Sequence, residues 1–484
     1  MSESVGRDIY IKENLLARLD RIPVNRKIIF LVSLLGVIWI CEAFDIGIIA
    51  PVIFLLKGAW HLKPNDIGLI ASAGTLGIVI GLVPAGWVAD HLGRKTALLY
   101  GIAIFSVATF LASFSQNITQ LVVFRFIAGL GQGAVFPAPY LMMSELVNKK
   151  WRGTASGIGN GFLAFAYALN TFVAALIVDR ITDADAWRLL LAIGGATIFI
   201  IPIIIKFLPE SPRFLLKKGK IDAVRKLVEE LEDISGITHD ESLIHAGSLS
   251  ALERTASRRV SVVDFFRPPY FLRCFVSYTA LLSPLLVFYV ITIYGPSIIE
   301  HMGASKADAL YYNTGLQLFT IFTILFGGWI SDKISRRWGI AIAIGITALG
   351  VIALGQPLPR WGIFVAALVV WGADTAVNPM AKMYMAEQFP TRLRGTGCMV
   401  GESIARFLSG VVLVFLFPIL GAQLTPSALF TTLGLLAAMC VVPVLLFGFK
   451  TSNISIEQTG SDQNDRRQQH EASAVDGRPA GSQG

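Results

Sequence analysis

The sequence predicts an all-α membrane protein: twelve transmembrane helices in two six-helix halves, with both termini cytoplasmic. Three observations carry the prediction. Only 15% of its 484 residues are charged and 54% are hydrophobic, where a soluble domain has about 25% charged residues. Apolar stretches of about 20 residues, long enough to cross a hydrocarbon core, recur along the whole chain. Two separate motif blocks repeat at one spacing, Gly86 to Gly328 and Pro137 to Pro379, an offset of 242 residues.

The elements follow in order. Residues 1–27 mix acids with bases and precede an apolar run too long for a signal-peptide core. They read as a cytoplasmic segment, and the first helix as a retained span. The first half, residues 28–208, holds candidate spans at 28–55, 66–88, 96–116, 119–146, 153–178 and 187–208. Residues 209–269 form a polar linker. In it Ser211 stands as a helix N-cap with Pro212 in the first helical position, and Ile221, Val224, Leu227, Val228 and Leu231 share one helical face. Cytoplasmic amphipathic helices at the membrane surface or against the bundle ends are expected there, with a solvated tether as the alternative. The second half, residues 270–449, holds candidate spans at 270–299, 306–331, 338–356, 361–388, 394–420 and 427–449. The tail, residues 450–484, is rich in Gln, Ser, Asp and Gly and is expected to be disordered.

Orientation comes from the basic residues, which gather in alternate connections: Arg18 to Lys27, Arg94 and Lys95, Lys149 to Arg152, Lys333 to Arg337, Arg392 and Arg394. The positive-inside rule places these loops in the cytoplasm, and an even number of spans returns the C-terminus to the same side. The net charge of +8 is therefore a matter of topology, and no nucleic-acid partner is expected. Cys41, Cys274, Cys398 and Cys440 lie in or beside apolar spans without CxxC spacing or clustered histidines. That pattern indicates packing, and no disulfide framework, metal or other cofactor.

The repeat aligns GWVADHLGRK, Gly86 to Lys95, with GWISDKISRR, Gly328 to Arg337. It also aligns Pro137, Glu145, Arg152, Gly153 and Thr154 with Pro379, Glu387, Arg394, Gly395 and Thr396. Parallel halves related by an axis along the membrane normal place a shared site between them near the midplane. The glycines of GLGQG and GIGNG lie inside apolar spans with no strand before them, so the dinucleotide fingerprint lacks its context. Close helix packing accounts for them.

GWVADHLGRK resembles the loop signature of the major facilitator superfamily, and GWISDKISRR its second-half copy with Ser335 in place of Gly. RFIAGLGQGAVFP, Arg125 to Pro137, resembles the helix 4 pattern of that superfamily. PESPRFL and EQFPTRLRGTG are similar to motifs of its sugar-porter and organic-ion branches. The resemblance implies that Gly86, Asp90, Gly93, Arg94, Arg125, Glu145 and Arg152, with Asp332, Arg336, Glu387 and Arg394, form gating motifs. Their charges would hold the cytoplasmic ends of the halves together and then part. An ion pair at a wet boundary is worth about 0–1 kcal/mol, which suits a latch. Purely topogenic charge is the alternative.

Ionisable groups at membrane depth cost about 2.5–3.5 kcal/mol each on insertion scales. Glu42, Asp45, Arg125, Asp374, Glu402 and Arg406 all stand there. Glu42 and Asp45 share a helical face, and Glu402 and Arg406 are spaced to pair. EAFD, Glu42 to Asp45, resembles the helix 1 motif Asp-Gly-x-Asp of aromatic-acid:proton symporters, with Ala43 in place of Gly. LDRIP, Leu19 to Pro23, is similar to the start of niacin-type transporters in the synaptic-vesicle-protein-like branch. In those relatives a helix 11 Arg is implicated in holding the substrate carboxylate, and Arg406 matches that place. A guanidinium fork suits a planar carboxylate.

Arg406 is therefore expected to anchor an organic anion, while Asp45 and Glu42 take up and release the coupling proton. Two acids in a low-dielectric cavity repel, which favours protonation of one. Asp374, Glu402, Asn160 and Asn170 are further candidate substrate-binding residues, and Tyr278, Tyr289 and Tyr294 candidates to stack on a ring. Structural pairs Glu402–Arg406 and Glu42–Arg125 are the alternative reading of the charges.

The expected function is alternating-access transport of a small carboxylated metabolite, an aromatic acid or a nicotinate-like compound, by proton symport. The expected partners are that substrate, protons and the lipid bilayer, and the chain is expected to act as a monomer. It belongs in the cell membrane, the inner membrane if the source is Gram-negative. The alternatives are a proton-coupled sugar or polyol porter, against which the lack of Gln in SYTALLSPLLVFYV counts, and a transport-inactive nutrient sensor. No catalytic constellation appears at membrane depth, so no enzyme is expected.

Overall fold

The computed structural model describes residues 2–148, 151–181, 183–238, 270–301, 303–331, 333–389 and 391–448. Among them twelve helices are long and apolar enough to cross a membrane. In chain order, as spans 1 to 12, they are Arg26–Ala59, Pro64–Leu92, Arg94–Ala112, Ile118–Leu146, Gly157–Val178, Asp185–Phe207, Phe271–His301, Lys306–Ile330, Arg336–Leu354, Trp361–Glu387, Gly397–Gln423 and Pro426–Phe447. No strand occurs among the described residues.

Glycine sets how closely the spans of the first half approach. Spans 2 and 4 cross backbone to backbone: a Cβ at Gly129 would lie 2.1 Å from the Gly74 carbonyl oxygen, and one at Gly77 would lie 2.2 Å from that of Phe126. Lipid tails offer no hydrophobic drive for helix association, so such small-residue contacts carry the packing. The halves meet through spans 5 and 8, 2 and 11, and 1 and 7. At the first of these seams Thr314 Oγ1 donates to Thr171 Oγ1 at 3.0 Å, and Tyr311 donates to Asp179 at 2.9 Å.

Five spans are interrupted: span 6 by a 3-10 stretch at Ala196–Ile200, span 12 between Met439 and Val442, and three others nearer the seam. Span 1 changes helix at Ile48, between Arg26–Gly47 and Ile49–Ala59; Pro51, lacking an N–H, cannot donate to the Gly47 carbonyl. Span 4 breaks between Ile118–Val135 and Ala138–Leu146, where Pro137 follows Phe136. In span 11 the α-helix Thr391–Arg406 gives way to a π-helical stretch, Phe407–Leu413. π-helical turns are rare and frequently mark functional sites.

Outside the spans, helix Ser2–Arg21 packs on helix Ile221–Ser235. Leu15, Leu19 and Ile22 share a buried cluster with Val224, Leu227, Val228 and Leu231. Within that contact Arg18 donates twice to Glu232, at 2.6 and 3.1 Å, and Arg21 donates once at 3.0 Å. Ser211 caps helix Pro212–Lys217 by accepting from the Phe214 N–H at 3.1 Å. Linker residues 239–269 and the tail from 449 lie outside the described residues.

Candidate functional site

Arg406 ends the α-helical part of span 11, and its side chain reaches the seam between the halves. Its Nε and Nη2 donate to Glu402 Oε1 at 3.0 and 2.9 Å, and its Nη1 donates to the Tyr289 hydroxyl of span 7 at 2.9 Å. The guanidinium lies 4.0 Å from the centroid of the Phe136 ring. Phe136 comes from the break in span 4, so first-half ring and second-half cation stack across the seam. Tyr167 of span 5 packs edge-on against Phe288 of span 7, closing another side.

Deeper along span 1, Asp45 is held from three directions. Arg125 Nη1 donates to both carboxylate oxygens at 3.2 and 3.1 Å, Arg125 Nη2 donates to the Asp45 carbonyl at 3.1 Å, and Gln132 Nε2 donates to Oδ2. Arg125 and Gln132 are seven residues apart and share a face of span 4, which is why one acid receives both. The arginine thus pairs with Asp45 rather than Glu42. Glu42 is fully buried, and neither of its carboxylate oxygens has a hydrogen bond among the described residues. The charged and phenolic groups facing it are Asp45, Arg406, Tyr167 and Tyr289.

Between these groups lies a cavity of about 20 Å³, lined by Arg125, Gln132, Tyr167, Phe288, Tyr289 and Thr292 among others. That space holds about one water. Side chains of both halves line this space, but the expected common chamber of acids and bases is not seen: Arg125 reaches it, while Glu42, Asp45, Glu402 and Arg406 are packed outside its lining.

The remaining candidates sit differently. Asp374 is fully buried on span 10 with neither oxygen hydrogen-bonded among the described residues, and no ion pair joins it to Arg406. Asn170 is buried with its amide nitrogen against Gly47 of span 1. Asn160 is half-buried on span 5. Of the three tyrosines, Tyr278 and Tyr294 donate to the backbone carbonyls of Gly397 and Val414, at 3.0 and 2.8 Å, so only Tyr289 reaches the guanidinium.

The gating motifs form tight pairs inside each half. Arg94 pairs with Glu145, which also accepts from Ser211 Oγ at 2.5 Å, and Arg336 pairs with Glu387. Glu210 Oε1 accepts from the backbone N–H groups of Arg94 and Lys95, at 2.9 and 3.0 Å. Gly93 makes this turn possible: its φ is +110°, and a Cβ there would lie 2.2 Å from Glu210 Oε2. Asp90 is exposed, and Gly86 has open space where a Cβ would stand. Each ion pair ties spans within one half and not one half to the other. Asp332, with the side chains of Arg152 and Arg394, lies outside the described residues.

The sugar (and other) transporter family matches residues 30–462. The chain belongs to that family, a branch of the major facilitator superfamily. It is a multi-pass membrane transporter. The niacin transporter NiaP of Acinetobacter baylyi is 26% identical over 449 residues, covering 92% of this chain and 100% of NiaP. The 4-hydroxybenzoate transporter PcaK of Pseudomonas putida is 26% identical over 450 residues, covering 88% of this chain and 95% of PcaK. The crystal structure of a D-xylose-proton symporter shares the fold with a TM-score of 0.69 at 18% identity, over 88% of this chain and 98% of that one.

The transporter's central site contains groups that sequence reasoning passed over. Lys382 of span 10 is half-buried within electrostatic reach of Glu402 and Arg406, with no ion pair to Glu402 among the described residues, and lies close enough to the end of its span to pass for an interfacial lysine. Phe136 and Tyr167 carry no mark among so many apolar aromatics. Gln132 had a signal, because it stands one turn from the span 4 break and opposite the Asp45 face.

Proposed function

We propose that this transporter carries a small aromatic carboxylate of the nicotinate or hydroxybenzoate kind, together with a proton, by alternating access. The observation that carries the reading is Arg406: a buried guanidinium at the seam of the halves, stacked on Phe136 and bonded to Tyr289. Such a fork takes a planar carboxylate in two parallel hydrogen bonds, while the neighbouring rings offer faces to an aromatic body. The niacin and 4-hydroxybenzoate specificities of NiaP and PcaK support the same substrate class.

Glu42 and Asp45 are the acids available for the proton. Asp45 is already neutralised by Arg125, whereas Glu42 meets no donor, so Glu42 is the better-placed carrier. A monocarboxylate carried with one proton is electroneutral, so the pH gradient supplies the drive, about 1.4 kcal/mol per unit of pH difference. The positive-inside rule supports cytoplasmic termini. In that orientation the Arg94–Glu145 and Arg336–Glu387 pairs brace the cytoplasmic ends of the two halves as these rock about the seam, and the transporter works as a monomer.

The test is uptake by proteoliposomes of labelled nicotinate, 4-hydroxybenzoate, benzoate, glucose and inositol, with and without an imposed pH gradient. An aromatic acid should accumulate only with the inside-alkaline gradient, and Arg406→Ala should abolish it. Accumulation of glucose or inositol instead, or acid uptake by Arg406→Ala at the parent's rate, rules the reading out.

A further inference from the structure

Arg125 and Gln132 both line the small cavity at the seam. Each keeps one buried polar atom with no hydrogen bond among the described residues, the guanidinium Nε and the amide Oε1. Their other polar groups are committed to Asp45: Nη1 and Nη2 of the arginine, and Nε2 of the glutamine. Neither side chain can turn to bulk water, since Arg125 is 2% exposed and Gln132 0%. The second half contributes Tyr289 and Thr292 of span 7 to the same lining. The Tyr289 hydroxyl accepts from Arg406 at 2.9 Å, which leaves its own proton to donate. A buried donor or acceptor without a partner is costly. Cavities walled only by apolar atoms stay dry, whereas buried water settles where two to four polar groups converge.

We propose that this cavity is a binding site for one water molecule, which accepts from Arg125 Nε and from the Tyr289 hydroxyl and donates to Gln132 Oε1. The volume of about 20 Å³ takes one such molecule and no larger ligand. Three hydrogen bonds are what a buried water typically makes, and these three give the orphaned donor and acceptor their partners. The water joins two ion pairs that direct contacts leave apart. Asp45–Arg125 stands on the first half, and Glu402–Arg406 on the second is reached through the Tyr289 hydroxyl. Hydrogen bonds in such a chain polarise one another, so a change of charge at Asp45 is passed across the seam to the Arg406 guanidinium. The site is independent of which substrate is carried.

Gly74 offers a way to fill the site. It belongs to the lining, and a Cβ there would lie 3.9 Å from Arg125 Nε with nothing nearer than 3.5 Å. Gly74→Ala therefore puts a methyl group in the place of the water without a steric clash. Melting temperature in detergent is measured for the purified full-length parent, Gly74→Ala and Gly157→Ala, the last having open space around its Cβ. Alanine is preferred to glycine inside a helix, so Gly157→Ala should hold or raise the melting temperature. Gly74→Ala should lower it by a few degrees, because eviction strands Arg125 Nε and Gln132 Oε1. A melting temperature of Gly74→Ala at or above the parent's means a dry cavity and overturns the proposal. Tyr289→Phe tests the link to the second half. Combined with Gly74→Ala, its loss should be smaller than the sum of the two single losses, since both remove bonds to one molecule. Additive losses overturn the connection to Arg406. A structure of the parent at a resolution that shows ordered solvent gives the direct readout. It should hold density for one water within hydrogen-bond reach of Arg125 Nε and Gln132 Oε1, and a cavity without that density overturns the site.

Discussion

The Arg406 guanidinium stacks on the Phe136 ring at 4.0 Å, and the two residues belong to opposite halves of the chain. A cation over an aromatic face is worth about 0.5–2 kcal/mol, more as the pair loses water. The ring leaves the guanidinium edges open to other partners while fixing its plane. If Arg406 anchors the substrate anion as proposed, Phe136 is the residue that positions it.

Replacing it tests that role. Phe136→Leu keeps the apolar volume and removes the quadrupole, so acid affinity should fall between about two- and thirtyfold. Phe136→Tyr should stay near the parent. Equilibrium binding of nicotinate or 4-hydroxybenzoate reads the difference, and equal affinity in Leu and Phe forms would deny the stack any part in substrate binding.

Asp45 and Arg125 form a buried pair, and removing one partner strands the other in the bundle. Breaking such a pair costs about 3–5 kcal/mol, whereas replacing both members is often neutral. Asp45→Asn should therefore lower the melting temperature in detergent markedly, and the double variant Asp45→Asn/Arg125→Gln should recover most of the loss. A double variant as unstable as the sum of the two single ones would mean that the two residues act independently.

Gly129 allows span 4 to touch the span 2 backbone, where a Cβ would sit 2.1 Å from the Gly74 carbonyl. No rotamer relieves a Cβ clash with backbone. Gly129→Val should abolish folded, monodisperse protein on size-exclusion chromatography, while Gly157→Val, where a Cβ meets open space, should be tolerated.

The contact between the N-terminal helix and helix Ile221–Ser235 carries its own pH dependence. Burial pushes the Glu232 carboxyl upward, but hydrogen bonds and charge from Arg18 and Arg21 outweigh it and hold the group below the ordinary glutamate range. The depressed value stabilises the docked helix above about pH 4.3, the unperturbed value. That stabilisation is lost as pH falls through the lower, docked value. Limited proteolysis should find the N-terminal helix protected at neutral pH and released in strong acid. In Glu232→Gln, where the charge that accepts hydrogen bonds from Arg18 and Arg21 is removed, the helix should be released more readily at neutral pH than in the parent.

The spans were legible because lipid imposes a long apolar run on every crossing, and the repeat was legible because its loop charges are sparse enough to align. The partners inside the bundle were not. Glu42 and Asp45 stand three residues apart with the same charge, and only the register of span 4 decides that Arg125 and Gln132 both reach Asp45. Arg406 and Glu402 could be paired from their spacing, since four residues on one helix fix the geometry locally. Phe136 became a partner of Arg406 through the packing of two distant helices, which no local pattern records. Lys382 was hidden by its position near a span end, where lysine is ordinary.

Each repeat holds its own buried ion pair: Asp45 with Arg125 in the first, Glu402 with Arg406 in the second. A hybrid joined at the linker, one half from this chain and one from a relative, would therefore carry each of these pairs intact. What it would have to rebuild is the seam, where Phe136 of one half meets Arg406 of the other.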